Sequence, residues 1–213
     1  MLPGLVRRTE SDSVVLTLDA CGGKHGSRVD DELLRYLRDE RIPAVIFVNK
    51  RWVEANPTPF RQLAEEQDLF DIGNHGTRHV PLSIAGHSQY GIPGTRDAGE
   101  VFDEVMGNHT FLTRELGHPP RYFRTGTAWY DEVAVEIVRA CGETPVGFDI
   151  NGDAGATFSA TQVTHAVQSA TAGSIILAHC NQPRGDTYEG LRRAIPKLRA
   201  SGLTFTTLTD AGL

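Results

Sequence analysis

Two periodicities of hydrophobic and polar positions alternate along the chain. Ser13-Val14-Val15-Leu16-Thr17-Leu18 is a β-branched run of strand length, halted by Asp19 and the loop Ala20-Cys21-Gly22-Gly23. Val29, Leu33, Leu34 and Leu37 then recur at helical spacing between charged residues and predict an amphipathic helix. Pro43 closes that segment. Ala44-Val45-Ile46-Phe47-Val48 follows, apolar at every position, as expected of a strand buried on both faces of a parallel sheet. Further helices are predicted over 57–67, 97–116, 131–141, 161–172 and 188–200, and further strands over 70–73, 121–124, 146–149, 174–178 and 203–208. Pro59 falls in a first helical turn, and Gly117 and Gly142 follow helix ends. Seven strands alternating with six helices imply βα units and a right-handed parallel sheet, open or closed into a barrel. The stretch Pro81–Thr95 is long and rich in Gly and Pro, the kind of loop that shapes a binding site.

Composition narrows the function classes. At 213 residues the chain fits one domain, 1–213, with no low-complexity linker and no repeat. Apolar residues make up 39% and charged residues 23%, the balance of an ordinary globular protein. A formal charge of −6 leaves no basic stripe for phosphates, so no nucleic-acid partner is expected. No apolar run is long enough to span a bilayer, so no membrane partner is expected either. The first residues lack a signal-peptide core, which points to the cytoplasm if the chain is whole and to secretion if a leader has been removed. The three cysteines, Cys21, Cys141 and Cys180, make no disulfide framework.

In βα folds chemistry collects at the carboxyl ends of the strands. Asp19 follows the first predicted strand, His75 and His79 the third, Arg124 the fourth, Asp149 and Asp153 the fifth, and His179 the sixth. His75 and His79 stand at i and i+4, a spacing that on a helix places both imidazoles on one face and supplies half of a tetrahedral metal site. An ion there would acidify water, Asp19 would take its proton, and His179 would protonate a leaving group from the opposite side of the sheet. Arg124 would pair with an Asp and hold the base oriented. That is equipment for metal-assisted hydrolysis of an amide or ester. Blander readings exist for each member: Asp19 as a turn cap, His179 as a core histidine, Arg124 as a buried ion-pair partner, Asp149 and Asp153 as turn residues among glycines. His25, His87, His109, His118 and His165 follow no strand end and read as surface residues.

Against these residues the chain resembles the polysaccharide deacetylases, the NodB-homology carbohydrate esterases of family 4, over nearly its whole length. The T-F-D-D-G motif reads Thr17-Leu18-Asp19-Ala20-Cys21-Gly22-Gly23, and H-[ST]-x-x-H reads His75-Gly76-Thr77-Arg78-His79 after Gly73-Asn74. The F-R-x-P motif reads Phe123-Arg124-Thr125-Gly126 without its Pro, and L-x-H reads Leu177-Ala178-His179. The resemblance implies a distorted (β/α)7 barrel, a divalent metal, usually zinc, and removal of acyl groups from N-acetylated sugars. By motif it implies Asp19 as base, His75 and His79 as metal ligands, Arg124 as the orienter of the base, and His179 as acid.

Two departures stand out. The second Asp of the first motif, normally the third ligand, is Ala20. Asp19 itself, a Cys21 thiolate, or water takes its place, or no metal binds; they are ranked in that order. The D-x-x-D-W motif is only echoed in Asp149-Ile150-Asn151-Gly152-Asp153-Ala154, and Asp153 is taken as the Arg124 partner. Trp129 and Tyr130 are expected either to stack on a sugar ring as substrate contacts or simply to cover the rim, and Asn181 and Arg184 to contact substrate through amide and guanidinium donors. Cys21 and Cys180 each lie within two residues of a catalytic candidate, and their thiols are expected to approach. The expected activity is de-N-acetylation of an acylated amino sugar in a polysaccharide or oligosaccharide. The alternatives are a catalytically impaired carbohydrate-binding protein on the same barrel, or an amidase of a small acylated amine. An open groove favours polymer and a closed cavity a small amide.

Overall fold

A computed structural model describes residues 2–213. Its strands are β1 (Val14–Ala20), β2 (Ala44–Val48), β3 (Phe70–Asn74), β4 (Tyr122–Phe123), β5 (Thr144–Pro145), β6 (Ile150–Asn151), β7 (Ile175–His179) and β8 (Phe205–Thr206). Its helices are α1 (Asp31–Asp39), α2 (Lys50–Ala55), α3 (Pro57–Glu65), α4 (Ala98–Leu116), α5 (Glu132–Ala140), α6 (Ala160–Gln168) and α7 (Thr187–Ala200). The sheet runs β5-β4-β3-β2-β1-β7-β6, every pairing parallel, and β8 pairs with the start of β1. The N-terminal segment laces its open side: Val6 bridges Val146, just past β5, and Arg8 bridges Ser174, just before β7. The result is a distorted (β/α)7 barrel.

Strand alternation divides the interior into two layers. Leu16, Leu18 and Ala20 of β1 and Ile176 and Ala178 of β7 pack outward against Leu33, Leu37, Trp52, Leu191 and Ile195 of the helices. Val15, Val45, Phe47, Tyr122, Val146 and Ile175 pack inside the barrel. Because the side-chain period is two, Thr17 and Asp19 share the inner face with Val15, and Leu177 and His179 share it with Ile175. The register pairs Asp19 with His179 directly. Two polar groups predicted from opposite sides of the sheet are therefore neighbours on adjacent strands.

Three elements depart from expectation. The predicted strand 146–149 is instead the link between two short strands: Thr144–Pro145 pairs with β4 and Ile150–Asn151 with β7. Between them Val146 turns to Val6, and the Gly147 N–H donates to the Val6 carbonyl. Helix α2 was not expected. It is too short to show a period, and it forms because the Asn49 side chain caps it at the Arg51 N–H while Trp52 and Val53 are buried. The His75–His79 segment is a turn rather than a helix, with Gly76 and His79 both at positive φ, 76° and 64°. No described helix is long and apolar enough to cross a membrane.

Candidate active site

At the carboxyl end of the barrel lies a cavity of about 530 Å³, lined by Asp19, Cys21, His79, His179 and Asn181 among others. Ile92, Phe148 and Leu177 make its apolar wall, and Tyr90 stands at its mouth.

Asp19 and Arg124 form its base. Arg124 Nη1 donates to Asp19 Oδ1 at 2.9 Å and to Thr17 Oγ1 at 2.6 Å, and Nη2 donates to the Gly147 carbonyl at 2.8 Å. The guanidinium is fully buried and lies over the Phe47 ring, 4.4 Å from its centre. Burial pushes the Asp19 carboxyl up, but His75, Arg124 and His179 together hold it below the usual carboxylate range. Arg124 therefore pairs with Asp19 and not with Asp153, correcting the expectation from the weak fourth motif. Arg124 extends from the inner end of β4, and its reach ends at the inward carboxylate of β1. Asp153 lies on the far side of β7.

There Asp153 serves His179. Its Oδ1 accepts from His179 Nδ1 at 2.9 Å, and its Oδ2 accepts from the His179 N–H and from Thr187 Oγ1. Burial alone would lower the imidazole, but the Asp153 charge and hydrogen bond raise it well above its ordinary value. Asp149 is not on the rim. It binds Arg8, Ser174 and the Ile175 N–H at the amino end of β7, where it fastens the N-terminal segment.

His75 is fully buried, and its Nδ1–H donates to the Arg124 carbonyl at 2.7 Å, leaving Nε2 as the free ring nitrogen. That Nε2 is 3.8 Å from Cys21 Sγ and 3.6 Å from Asp19 Oδ2. The His75 and His79 rings stand edge to face with centres 4.8 Å apart. Ligand atoms of Cys21, His75 and His79 all lie within 4.8 Å of one another, so these three side chains can hold a metal ion. Burial pushes the Cys21 thiol up, yet His79, His179 and His75 bring it well below its ordinary value. Burial lowers the His75 imidazole, while Asp19 and Cys21 raise it further, above its usual range.

The histidine turn is fastened from behind by residues without a sequence signal. Glu104 of α4 is buried, and its carboxylate accepts the Arg78 and His79 N–H groups at 2.9 Å. Asn74 Oδ1 accepts from the Gly76 N–H and from Asn108, and its Nδ2 donates to Glu143. Asn49 Nδ2 holds the His75 and Gly76 carbonyls. Gly126 lets the next loop press on His79, since a Cβ there would lie 2.4 Å from the His79 backbone. Of the seven non-glycine residues at positive φ among the described residues, five (His79, Tyr90, Thr127, Ala128 and Ala154) line the cavity. Backbone strain is concentrated where the loops shape the site.

The expected substrate residues fare unevenly. Asn181 lines the cavity; its Nδ2 donates to the Gly26 carbonyl and its buried Oδ1 has no partner. Tyr130 is 3% exposed, packed against Phe123, with its hydroxyl accepting from the Thr125 N–H and donating to the Phe123 carbonyl. Its ring cannot stack on a sugar. Trp129 sits in a separate depression with Leu2, Leu5 and Arg7, its ring edge-on to His87. Arg184 is exposed and outside the cavity lining. The chain places Trp129 and Tyr130 after a short 3-10 turn at Gly126–Ala128, which rotates both away from the rim. Tyr90 and Ile92, inside the Pro81–Thr95 loop, line the cavity instead. His25 is exposed, as expected, and also lines the cavity, while His109 is a half-buried partner of Glu143 at 2.7 Å rather than a surface residue. Cys180 is fully buried in the outer layer and Cys21 faces the cavity, so strand alternation sets the two thiols on opposite faces. All three cysteines are free.

The site is thus a carboxylate, an arginine and a His/Cys cluster at one rim of a parallel βα barrel. A model of the polysaccharide deacetylase family matches residues 6–146, and the chain belongs to that family. No curated protein matches it. Its fold is similar to that of a CE4 family pseudoenzyme from Bacillus anthracis, at 19% identity and TM-score 0.79, covering 99% of this chain and 69% of that one. A mutant of that pseudoenzyme is described as having restored enzymatic activity. It is also similar to the Bc1960 peptidoglycan N-acetylglucosamine deacetylase, at 21% identity and TM-score 0.80, covering 98% and 92%. A family 4 carbohydrate esterase from Streptomyces lividans in complex with acetate matches at 21% identity and TM-score 0.74, covering 94% of each chain.

Proposed function

We propose that the protein is a metal-dependent amide hydrolase that removes an acyl group from the nitrogen of an acylated amino sugar. One observation carries this reading: Asp19 and His179 are register partners facing one cavity, each with its own buried partner, beside a converging His/Cys donor set. Core histidines and turn-capping aspartates do not require that arrangement.

The donors suit a borderline-soft divalent ion such as zinc, with His75 and His79 as ligands. Such an ion supplies Lewis acidity, lowering the pKa of water and polarising a carbonyl. Asp19 accepts the proton of the attacking water at Oδ2, because Oδ1 is engaged by Arg124. Arg124 keeps the base ionised and fixes its plane. On the adjacent strand His179 donates from Nε2 to the departing nitrogen, while Asp153 at Nδ1 keeps the ring protonated and aimed. Ile92, Phe148 and Leu177 give the acyl group an apolar wall.

The test is release of free amine from acetylated chitooligosaccharides and peptidoglycan fragments, with elemental analysis of the same preparation. His75→Ala and His79→Ala should each lower bound metal; unchanged content defeats the ligand assignment. Ala20 supports a second reading, a carbohydrate-binding protein that has lost turnover, because the motif's ligand carboxylate is absent. Oligosaccharide binding without amine release by metal-loaded protein would favour it. Release from small acylated amines alone would move the substrate to a metabolite.

A further inference from the structure

We propose that Cys21 takes the place of the carboxylate missing at Ala20, as a thiolate third ligand beside His75 and His79, leaving Asp19 free to act as base. The inference rests on the reading that this site holds a divalent ion.

Strand alternation supplies the first argument. Asp19 faces the barrel interior, Ala20 packs outward in the apolar layer with Val48 and Trp52, and Cys21 returns to the cavity. In this chain the residue at the motif position points away from the histidines, and the next one points at them.

Distances supply the second. In a tetrahedral site with Zn–S of about 2.3 Å and Zn–N of about 2.0–2.1 Å, sulfur and nitrogen stand roughly 3.5 Å apart. Cys21 Sγ and His75 Nε2 are 3.8 Å apart, and all three donor atoms fall within 4.8 Å of each other. Only a few tenths of an ångström separate that first pair from ligand geometry.

The third argument is orientation. The Arg124 carbonyl accepts the His75 Nδ1–H, which leaves the Nε2 lone pair for the side of Cys21 Sγ and Asp19 Oδ2. Glu104 fixes the His79 backbone in its left-handed conformation through two N–H groups. Asp19 is committed to Arg124 through Oδ1. A small half-buried Cys filling apolar space would not be ringed by imidazoles.

A thiolate in the set favours zinc and cobalt(II) over magnesium, calcium and manganese. The experiment uses the full chain, stripped with a chelator and titrated with cobalt(II) as probe. Wild type should bind one equivalent and show thiolate-to-cobalt charge-transfer absorption in the near ultraviolet. Cys21→Ser should lose that absorption and weaken zinc binding by more than about tenfold, since loss of a direct ligand exceeds loss of an outer-shell partner. Cys21→Asp should recover zinc binding without the absorption, and Cys180→Ala should retain both. Circular dichroism of the stripped variants checks that each is folded. Cobalt bound at the histidines without the thiolate absorption, or an absorption unchanged in Cys21→Ser, overturns the proposal and leaves the metal-site reading intact. Failure of wild type to bind either ion overturns both.

Discussion

The base of the cavity and its mouth are built on opposite plans. At the base, Asp19, His75, Arg124 and Asp153 are buried, and each has a named partner on another strand or loop. At the mouth, Tyr90 is 80% exposed on a loop whose tip is closed only by the Gln89–Ile92 backbone pair. A buried polar group left without its partner costs far more than an exposed one, so change at the base is punished in both stability and chemistry. The mouth can vary at little cost in folding. On the proposed function, the strand ends would set the reaction type and the loops the choice of substrate.

Asp19→Asn keeps the shape of the base and removes its charge, so kcat should fall by at least about 100-fold with little change in circular dichroism. Turnover near wild type would remove Asp19 as base. Arg124→Ala leaves a buried carboxylate unpaired and should cost on the order of 3–5 kcal/mol in chemical denaturation, with activity lost as well. Arg124→Lys should not restore it, because a point charge cannot serve Asp19, Thr17 and Gly147 together. A stability loss within about 0.5 kcal/mol would show that the pair is incidental.

Asp153→Asn should act on the acid alone. Asp153 raises the His179 imidazole, so the wild-type acid stays protonated to higher pH; without that charge the alkaline limb of the kcat/KM profile should move to lower pH. An unmoved limb would mean that His179 does not set it. Tyr90→Ala, at the mouth, should raise KM about three- to tenfold for a sugar substrate through loss of a stacking face, with kcat and thermal stability unchanged. An equal drop in kcat would place Tyr90 in the chemistry and dissolve the contrast.

Much of this architecture is legible in the chain. The run Ala44–Val48, apolar at every position, is a doubly buried strand, and the polar groups that follow predicted strands do converge at Asp19, His75, His79, Arg124 and His179. Short-range pattern does not reach to long-range partners. Arg124 and Asp153 each carry a buried charge, yet nothing local says which opposite charge each meets. Trp129 and Tyr130 follow a strand end, but two residues at positive φ, Thr127 and Ala128, turn them off the rim. Glu104 fastens the histidine turn from 25 and 26 positions away, and Asn74 and Asn108 through side-chain amides, and a helix pattern gives no hint of it.

Hydrophobic period by itself indicated a parallel βα sheet, open or closed, with polar groups at its strand ends, because strand burial and strand-end placement are local consequences of the chain; resemblance to the family's motifs implied the barrel and the family. Tertiary structure decided the pairing of those groups. Strand alternation turns Ala20 outward and Cys21 inward, and register sets His179 beside Asp19. Side-chain reach gives Arg124 to Asp19 and Asp153 to His179. Coulomb and coordination energies depend on distances between residues far apart in sequence, and only the folded barrel sets those distances.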